Sequence, residues 1–446
     1  MTPDTTADQQ ALKVENIAVA MLRPCRNNAR LHSSRQVHQI AASIREFGFN
    51  NPVLIDRKNE IIAGHGRAGA AKVLGLDVVP CIRIEHLSEQ QKRAYIIADN
   101  KLALNAGWDP EILAIELQHL SSLDLSFDLE ITGFETAEID TLIDDHKHVV
   151  AADEAADLVP LVQDHAVSRL GDLWILGDHK LLCADAREPS AYDVLLERKA
   201  RLCFADPPYN VKIDGHVCGL GSVHHGDFAM ASGEMTHGEF AGFLQSIFRN
   251  MAAASVDGAI HFICMDWRHI GEVLAAGKPV YSALKNLCVW NKTNGGMGSF
   301  YRSKHELVFV FKAGDAPHLN TIELGKAGRY RTNVWDYAGV NTFGRNRDED
   351  LSAHPTVKPV ALVCDAIKDC SRRGDVVLDP FSGSGTTILA AGRCRRLARA
   401  IELDPLYVDV AVCRWEKFTG GSALHAQSGQ TFAELADERV PLLAAE

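Results

Sequence analysis

Leu202-Cys203-Phe204-Ala205-Asp206-Pro207-Pro208-Tyr209-Asn210 is an apolar run followed at once by an acid, two prolines and an aromatic ring. Consecutive apolar residues that end in a turn signal predict a buried strand. The chemistry-bearing residues then fall at the C-terminal end of that strand, where open α/β sheets form their ligand crevices. Two successive prolines set φ and remove two N–H donors, so the turn is rigid and offers carbonyls. A carboxylate, an outward carbonyl and a flat ring suit a planar molecule carrying an –NH2 group, as an exocyclic amine of a nucleobase does. An ordinary strand-ending turn has the same composition, so this stretch decides for an α/β architecture before it decides for a function.

A second stretch is Asp375-Val376-Val377-Leu378-Asp379-Pro380-Phe381-Ser382-Gly383-Ser384-Gly385-Thr386-Thr387. It reads as a strand, a glycine turn and the start of a helix. Gly383 and Gly385 let the backbone come close to a ligand. No lysine follows the last glycine and the spacing is too short for a Walker A loop; nor is it a full G-x-G-x-x-G. The acid ahead of the glycines suits a cationic ligand better than a pyrophosphate. Ala398-Arg399-Ala400-Ile401-Glu402-Leu403-Asp404 predicts another strand ending in acids, where a carboxylate commonly meets ribose hydroxyls. Asp404-Pro405 has the form of a helix N-cap with proline at the first turn, which leaves Glu402 as the stronger candidate.

With these motifs the chain resembles the S-adenosylmethionine-dependent DNA amino-methyltransferases, the family that methylates N6 of adenine or N4 of cytosine. Asp-Pro-Pro-Tyr is that family's catalytic motif and Asp-Pro-Phe-x-Gly-x-Gly-Thr its cofactor loop. Their order here is similar to the permuted β class. Three further segments resemble the family. They are His354-Pro355-Thr356-Val357-Lys358-Pro359, Asp185 after Leu181-Leu182-Cys183-Ala184, and Val289-Trp290-Asn291-Lys292 with Tyr301-Arg302-Ser303-Lys304-His305-Glu306. The resemblance covers roughly Val167 to Thr419. It implies a Rossmann-like sheet with helices on both faces, S-adenosylmethionine as cofactor, and double-stranded DNA as substrate, with the target base flipped out. It implies catalytic roles for Asp206, Pro207, Pro208 and Tyr209. Asp379, Phe381, Gly383, Gly385 and Thr386 become the cofactor loop, Glu402 the ribose ligand and Asp185 the adenine ligand. Thr356 and Lys358 fall near the methionine end. An arginine at Gly385 is then expected to block the cofactor by filling its space. Lys292, Arg302, Lys304, Arg345 and Arg347 are the candidates for DNA contacts. Cytosine-N4 members more often carry Ser before Pro-Pro-Tyr, so Asp206 favours adenine. A homodimer is an expectation from the same resemblance.

The net charge of −12 is unusual for a DNA-binding chain, but it is unevenly spread. From Asp124 to Asp157 there are eleven acids and one base; from Lys285 to Arg347 there are ten Lys/Arg and four acids. The basic stretch belongs to the catalytic half, where phosphate contacts are expected. Trp335, Tyr337 and Phe343 lie in the interval resembling a target-recognition segment, some of them as core rings. The eleven cysteines form no Cys-x-x-Cys pair, which argues against a zinc ribbon or disulfide framework and for a reducing cytoplasm. His216, Cys218, His224 and His225 lack regular ligand spacing, so no metal is expected and a loop near the base is. No apolar run has membrane-spanning length.

The N-terminal region resembles the ParB/sulfiredoxin-like domain through Gly64-His65-Gly66-Arg67 and Ala98-Asp99-Asn100-Lys101. The turn holds no cysteine, so sulfiredoxin chemistry is not expected. A helix N-terminus with two glycines and an arginine binds a nucleotide or other anion, or it simply holds the fold. The expected organisation is a disordered start (1–10), the ParB-like domain (11–115), an acidic helical linker (116–165), a permuted methyltransferase domain (166–420) with a target-recognition segment at about 311–350, and a polar tail (421–446). The alternatives are a cytosine-N4 enzyme, a ParB-like DNA-binding protein with an inactive methyltransferase half, and an RNA or small-molecule amine substrate.

Overall fold

The computed structural model describes residues 12–123, 125–147, 154–211, 231, 233–293, 300–322, 331–339 and 357–440. The chain divides into two compact units, Met1–Val150 and Ala151–Glu446. No helix among the described residues is long and apolar enough to cross a membrane.

The first unit has strands β1 (Val14–Ala18), β2 (Val53–Ile55), β3 (Ile61–Ala63) and β4 (Val78–Arg83), in the sheet order β1-β4-β2-β3. Helices α1 (Ser34–Phe47), α2 (His65–Val73) and α3 (Glu89–Asn105) accompany it. Ser33 caps α1 by accepting from Gln36 N, and Gly48 ends it at a φ of 85°. Val19, Val53, Ile55, Ile61, Ala68 and Val79 make the core. The Gly64–Arg67 turn begins α2, and its special residues are absorbed by packing. A Cβ on Gly66 would lie 2.9 Å from Ile40 Cδ1. Arg67 Nη1 donates to the carbonyls of Asn51 (2.8 Å) and Pro52 (3.1 Å). These are the contacts of a turn that holds a fold.

The stretch read as an acidic linker contains helices α4 (Pro110–Ser122) and α5 (Thr136–Lys147) with a small core of Leu117, Leu129, Ile139 and Ile143. Glu111, Glu116 and Asp128 are exposed, Glu130, Glu135 and Glu138 half-buried and Asp140 buried, so the acids belong to a packed helical pair, which composition alone does not reveal. Residues 148–153 lie outside the described residues. Glu154–Asp157 then form one helical turn, expected to be weakly structured but anchored in the second unit: Ala156 is buried and Asp157 accepts from Val360 N at 3.0 Å.

The second unit is built on ten strands. They are β5 (Leu173–Leu176), β6 (His179–Cys183), β7 (Ala200–Ala205), β8 (Ser255–Met265), β9 (Ala283–Asn291), β10 (His305–Ala313), β11 (Val334–Asp336), β12 (Val376–Asp379), β13 (Leu397–Glu402) and β14 (Leu424–His425). Their order is β11-β9-β10-β8-β7-β12-β13-β6-β5-β14. The central run from β8 through β7, β12 and β13 to β6 is parallel. Two layers of helices cover it, as expected: α6 (Pro189–Leu195), α7 (His237–Ala253) and α8 (Ile270–Gly277) on one face, α9 (Val360–Cys370), α10 (Thr386–Arg393) and α11 (Pro405–Thr419) on the other. Strand period two divides the core. Leu202 and Phe204 of β7 join the α9–α11 side, and Cys203 and Ala205 join the α6–α8 side. A parallel strand buried on both faces must be apolar throughout, which is why these strands read as continuous runs.

The C-terminal segment, read as a tail, is part of this unit as far as residue 440. β14 pairs with β5, and Thr431 caps α12 (Phe432–Arg439). The Phe432 ring lies 5.3 Å from that of Trp174, and the Arg439 guanidinium pairs with Asp172. Phe432→Ala should destabilise the unit by about 3–5 kcal/mol, read from denaturant unfolding. A change below about 1 kcal/mol would return the segment to the status of a tail.

Candidate active site

Because β6, β13, β12 and β7 run parallel, their C-terminal ends share one edge of the sheet. Asp185, Glu402, Asp379 and Asp206 follow or end these four strands in that spatial order. Asp206 opens the rigid turn. Asn210 closes it in the left-handed region (φ 53°), which asparagine tolerates. Asn210 Nδ2 donates to Met235 O, and Asn210 Oδ1 accepts from Gly233 N and Met235 N. The turn is thereby pinned to the chain that leads into α7, a role for Asn210 that the motif reading had passed over.

Asp206 belongs to a buried network. Lys358 Nζ donates to Asp206 Oδ2 at 2.6 Å and lies 2.6 Å from Glu306 Oε1. The Tyr209 hydroxyl sits between Asp206 Oδ1 (2.7 Å) and the Glu306 carboxylate. Lys292 Nζ is 2.7 Å from Glu306 Oε2 and 4.4 Å from the centre of the Trp290 ring. Two ammonium groups thus face two carboxylates. Burial pushes the Asp206 carboxyl upward, with Lys358 opposing it. At Glu306 burial also favours the neutral form, but two lysines prevail and hold it below the usual carboxylate range. Burial disfavours the Lys358 ammonium, yet its two carboxylate partners raise it above the ordinary lysine value.

Lys358, expected near the methionine end of the cofactor, has its side chain 5% exposed and its ammonium paired with the two acids. Lys292, expected to meet DNA, is likewise turned onto Glu306. Glu306 had been quoted only as part of a segment. The available signal was a single acid opening the apolar strand Leu307-Val308-Phe309-Val310-Phe311, since acids are almost never fully buried unless paired.

The glycine loop joins β12 to α10. Gly383 and Gly385 have φ of 50° and 82°. A Cβ on Gly385 would lie 2.9 Å from Ala411 Cβ in α11, so this glycine permits helix contact as well as a turn. Glu402 Oε2 accepts from Gly383 N at 2.7 Å, and Oε1 accepts from Asp404 N at 2.9 Å. Asp404 caps α11 with Pro405 at the first turn, as read. Burial raises the Glu402 carboxyl and pushes that of Asp379 up to about 7, even though Asp379 Oδ1 accepts from Phe381 N. Ser382 Oγ is buried without a hydrogen-bond partner. The Thr386 hydroxyl accepts from Arg414 Nη1, which also reaches Ser384, while Arg414 Nη2 donates to Ala156 O. Arg414 was missed. It is 2% exposed on a helix face shared with Val408, Ala411 and Trp415, a charge where the period calls for an apolar residue. Asp185 pairs with Arg187, Nε at 2.9 Å from Oδ2. Burial works to raise that carboxyl and the guanidinium prevails.

Arg302 and Lys304 are exposed, next to the exposed, edge-to-face rings of Phe300 and Tyr301. Trp267 Nε1 donates to Ser303 Oγ. Trp335 is core, 3% exposed, with the Arg331 guanidinium 5.0 Å from its ring centre. Residues 311–313, at the start of the interval expected for target recognition, belong to β10. Thr356, Arg345, Arg347, Phe343, His354, His216, Cys218, His224 and His225 lie outside the described residues.

The residues at the strand ends fit S-adenosylmethionine. Two left-handed glycines open the loop, and among the described residues a serine hydroxyl is buried in it without a partner and the Glu402 carboxylate accepts only from backbone N–H groups, leaving lone pairs for hydroxyls.

Comparison with known proteins agrees. The DNA methylase family matches residues 200–412. The ParB N-terminal domain matches residues 3–101, and the ParB-methyltransferase HTH domain matches 111–170. The chain is 49% identical over 84 residues to the ParB-like nuclease domain-containing protein YnaK of Escherichia coli K12, covering 19% of this chain and 97% of that protein. It is 39% identical over 95 residues to the type II methyltransferase M.ScaI of Streptomyces caespitosus, covering 21% of this chain and 31% of that protein. Against the type II methyltransferase M2.MboI of Moraxella bovis it is 25% identical over 232 residues, covering 49% and 81%.

Proposed function

This chain belongs to the N6/N4 family of S-adenosylmethionine-dependent DNA methylases and carries a ParB N-terminal domain, and from that premise we propose that it methylates the exocyclic N6 of adenine in double-stranded DNA. The supporting observation is the Asp206 carboxylate at the end of β7, held by Lys358 and Tyr209. Its remaining lone pairs and the Pro207 carbonyl accept the two amine hydrogens. That draws the nitrogen towards tetrahedral geometry and frees a lone pair otherwise delocalised into the ring. The cofactor supplies the methyl group on a sulfonium, so the N–C bond forms as the C–S bond breaks and sulfur keeps the electron pair. The methylated nitrogen then carries the positive charge and loses one proton, for which Asp206 is the nearest acceptor.

In this reading the target base leaves the duplex and lies against Tyr209, because the amine is unreachable while stacked. Glu402 meets the ribose hydroxyls and Asp185 the cofactor's adenine. Arg302 and Lys304 contact phosphates. The family's tendency to carry Ser before Pro-Pro-Tyr in cytosine-N4 members favours adenine. The test is nucleoside mass spectrometry on DNA from cells expressing the chain. N6-methyladenine supports the reading; N4-methylcytosine keeps the chemistry and replaces the base. Glu402→Ala should weaken S-adenosylmethionine binding by about 10–100-fold, since a hydrogen bond to a charged group is worth about 1.5–3 kcal/mol. Unchanged binding in calorimetry removes Glu402 from the cofactor site.

A further inference from the structure

Take the Lys358 ammonium away from this network and two carboxylates remain, Asp206 and Glu306, bridged by one tyrosine hydroxyl in a buried site. Like charges so placed cannot both stay ionised, and one takes up a proton. Glu306 retains a second cation, Lys292, at 2.7 Å; among the described residues Asp206 pairs only with Lys358. The proton would therefore settle on Asp206, and a protonated Asp206 is a poor acceptor for amine hydrogens.

We propose that Lys358 and Glu306 are positioning residues for methyl transfer, Lys358 acting as a charge brace that keeps the Asp206 carboxylate ionised and aimed at the amine beside the buried charge of Glu306. This rests on the reading of Asp206 as the acceptor of the amine hydrogens. The geometry explains why a lysine is buried here. Its Nζ meets both acids at 2.6 Å, lies 3.4 Å from the Tyr209 hydroxyl and stands 5.8 Å from the centre of the Trp290 ring.

The other titratable groups facing Asp206 and Lys358 do not replace the brace. Cys264 of β8 is pushed well above the ordinary thiol value by burial and stays neutral. Asp379 of β12, where ionised, adds negative charge and so strengthens the need for a cation. Tyr209 is pushed up by burial, then by the two acids, and remains protonated. Lys292 faces Glu306.

The test measures single-turnover methylation of unmethylated genomic DNA by the full-length protein, across pH, for wild type, Lys358→Met, Lys358→Arg, Glu306→Gln and the Lys358→Met/Glu306→Gln pair. Activity needs ionised Asp206, so it rises with pH along an acidic limb. Lys358→Met should move that limb upward by about one to three pH units, the shift an opposite charge at this distance produces. Its loss near neutrality is then partly recovered at high pH. Lys358→Arg keeps the charge and should leave the limb near that of wild type, at a lower plateau. The double variant removes the repelling charge together with the brace. It should exceed Lys358→Met near neutrality by at least about tenfold, with the limb moved back down.

A merely structural lysine predicts the reverse: no movement of the limb, and a double variant no better than the poorer single. That result overturns the inference. A weakened S-adenosylmethionine affinity in Lys358→Met with the transfer rate unchanged also overturns it, by returning Lys358 to the cofactor. Where Lys358→Met fails to fold, Glu306→Gln decides: it should move the limb downward, and an unmoved limb overturns the proposal. A wild-type protein that methylates no DNA would instead refute the reading beneath it.

Discussion

Asp206→Ala should bind S-adenosylmethionine within a few-fold of wild type while methyl transfer falls by about 10²–10⁴-fold, the range for losing a proton-accepting side chain at the reacting atom. The separation is expected because Asp206 follows β7 and the glycine loop follows β12, so the acid can be removed without touching the loop. The fold should survive as well. Lys358 keeps Glu306 at 2.6 Å, so the truncation does not strand a buried cation, the situation that costs about 3–5 kcal/mol. Calorimetric titration of the cofactor beside single-turnover kinetics makes the comparison. If binding and transfer fall together, Asp206 supports the cofactor crevice and the division of roles is wrong.

Gly385→Arg should unfold the second unit at a temperature lower by roughly 5–15 °C, where each kcal/mol is worth about 2–4 °C in a domain of this size class. The first cost is conformational: a left-handed residue bearing a Cβ is unfavourable by about 1–2 kcal/mol. The second is steric, because the Cβ would fall 2.9 Å from Ala411 Cβ and 3.3 Å from its Cα, against a helix that cannot move cheaply. Overpacking of that kind costs about 1–3 kcal/mol. This revises the expectation that arginine acts by filling the cofactor's space: the added atom is aimed at α11. Gly385→Ala separates the two, since it carries the Cβ and no arm. If alanine lowers the melting temperature nearly as far as arginine, the glycine serves the packing of α10 on α11. If alanine is thermally neutral and still abolishes binding, the glycine serves the ligand.

The architecture was legible because buried parallel strands announce themselves. Leu202-Cys203-Phe204-Ala205 and Val376-Val377-Leu378 are apolar on both faces, and each is punctuated by an acid and proline. Candidate acids at strand ends could be read for the same reason. What could not be read was the partner of each charge. Glu306 and the Asp206–Tyr209 turn come from separate segments and meet because β10 lies beside β8, which lies beside β7. A motif names a residue's neighbours along the chain, whereas an ion pair depends on its neighbours across the sheet. Arg414 was hidden differently: a lone charge in a helix reads as solvent-facing until the helix's surroundings are known. The packing of the acidic stretch and of the C-terminal segment could not be read, because composition reports charge and polarity, while packing is decided by a few residues such as Leu117, Ile139 and Phe432.

The large sheet ends, among the described residues, in β11 at one side and β14 at the other, strands of three and two residues. Long exposed edges are templates onto which another chain can add, and brevity is one way proteins disarm them. Ten strands here terminate in two stubs, too short to recruit a foreign strand with many backbone hydrogen bonds. Continuation of the sheet by another copy is therefore discouraged at the β14 rim, where the neighbouring β5 is itself only four residues long. A homodimer joined edge to edge at β14 would gain few backbone hydrogen bonds, so side chains would have to carry most of such an interface, leaving it open to disruption by single surface substitutions.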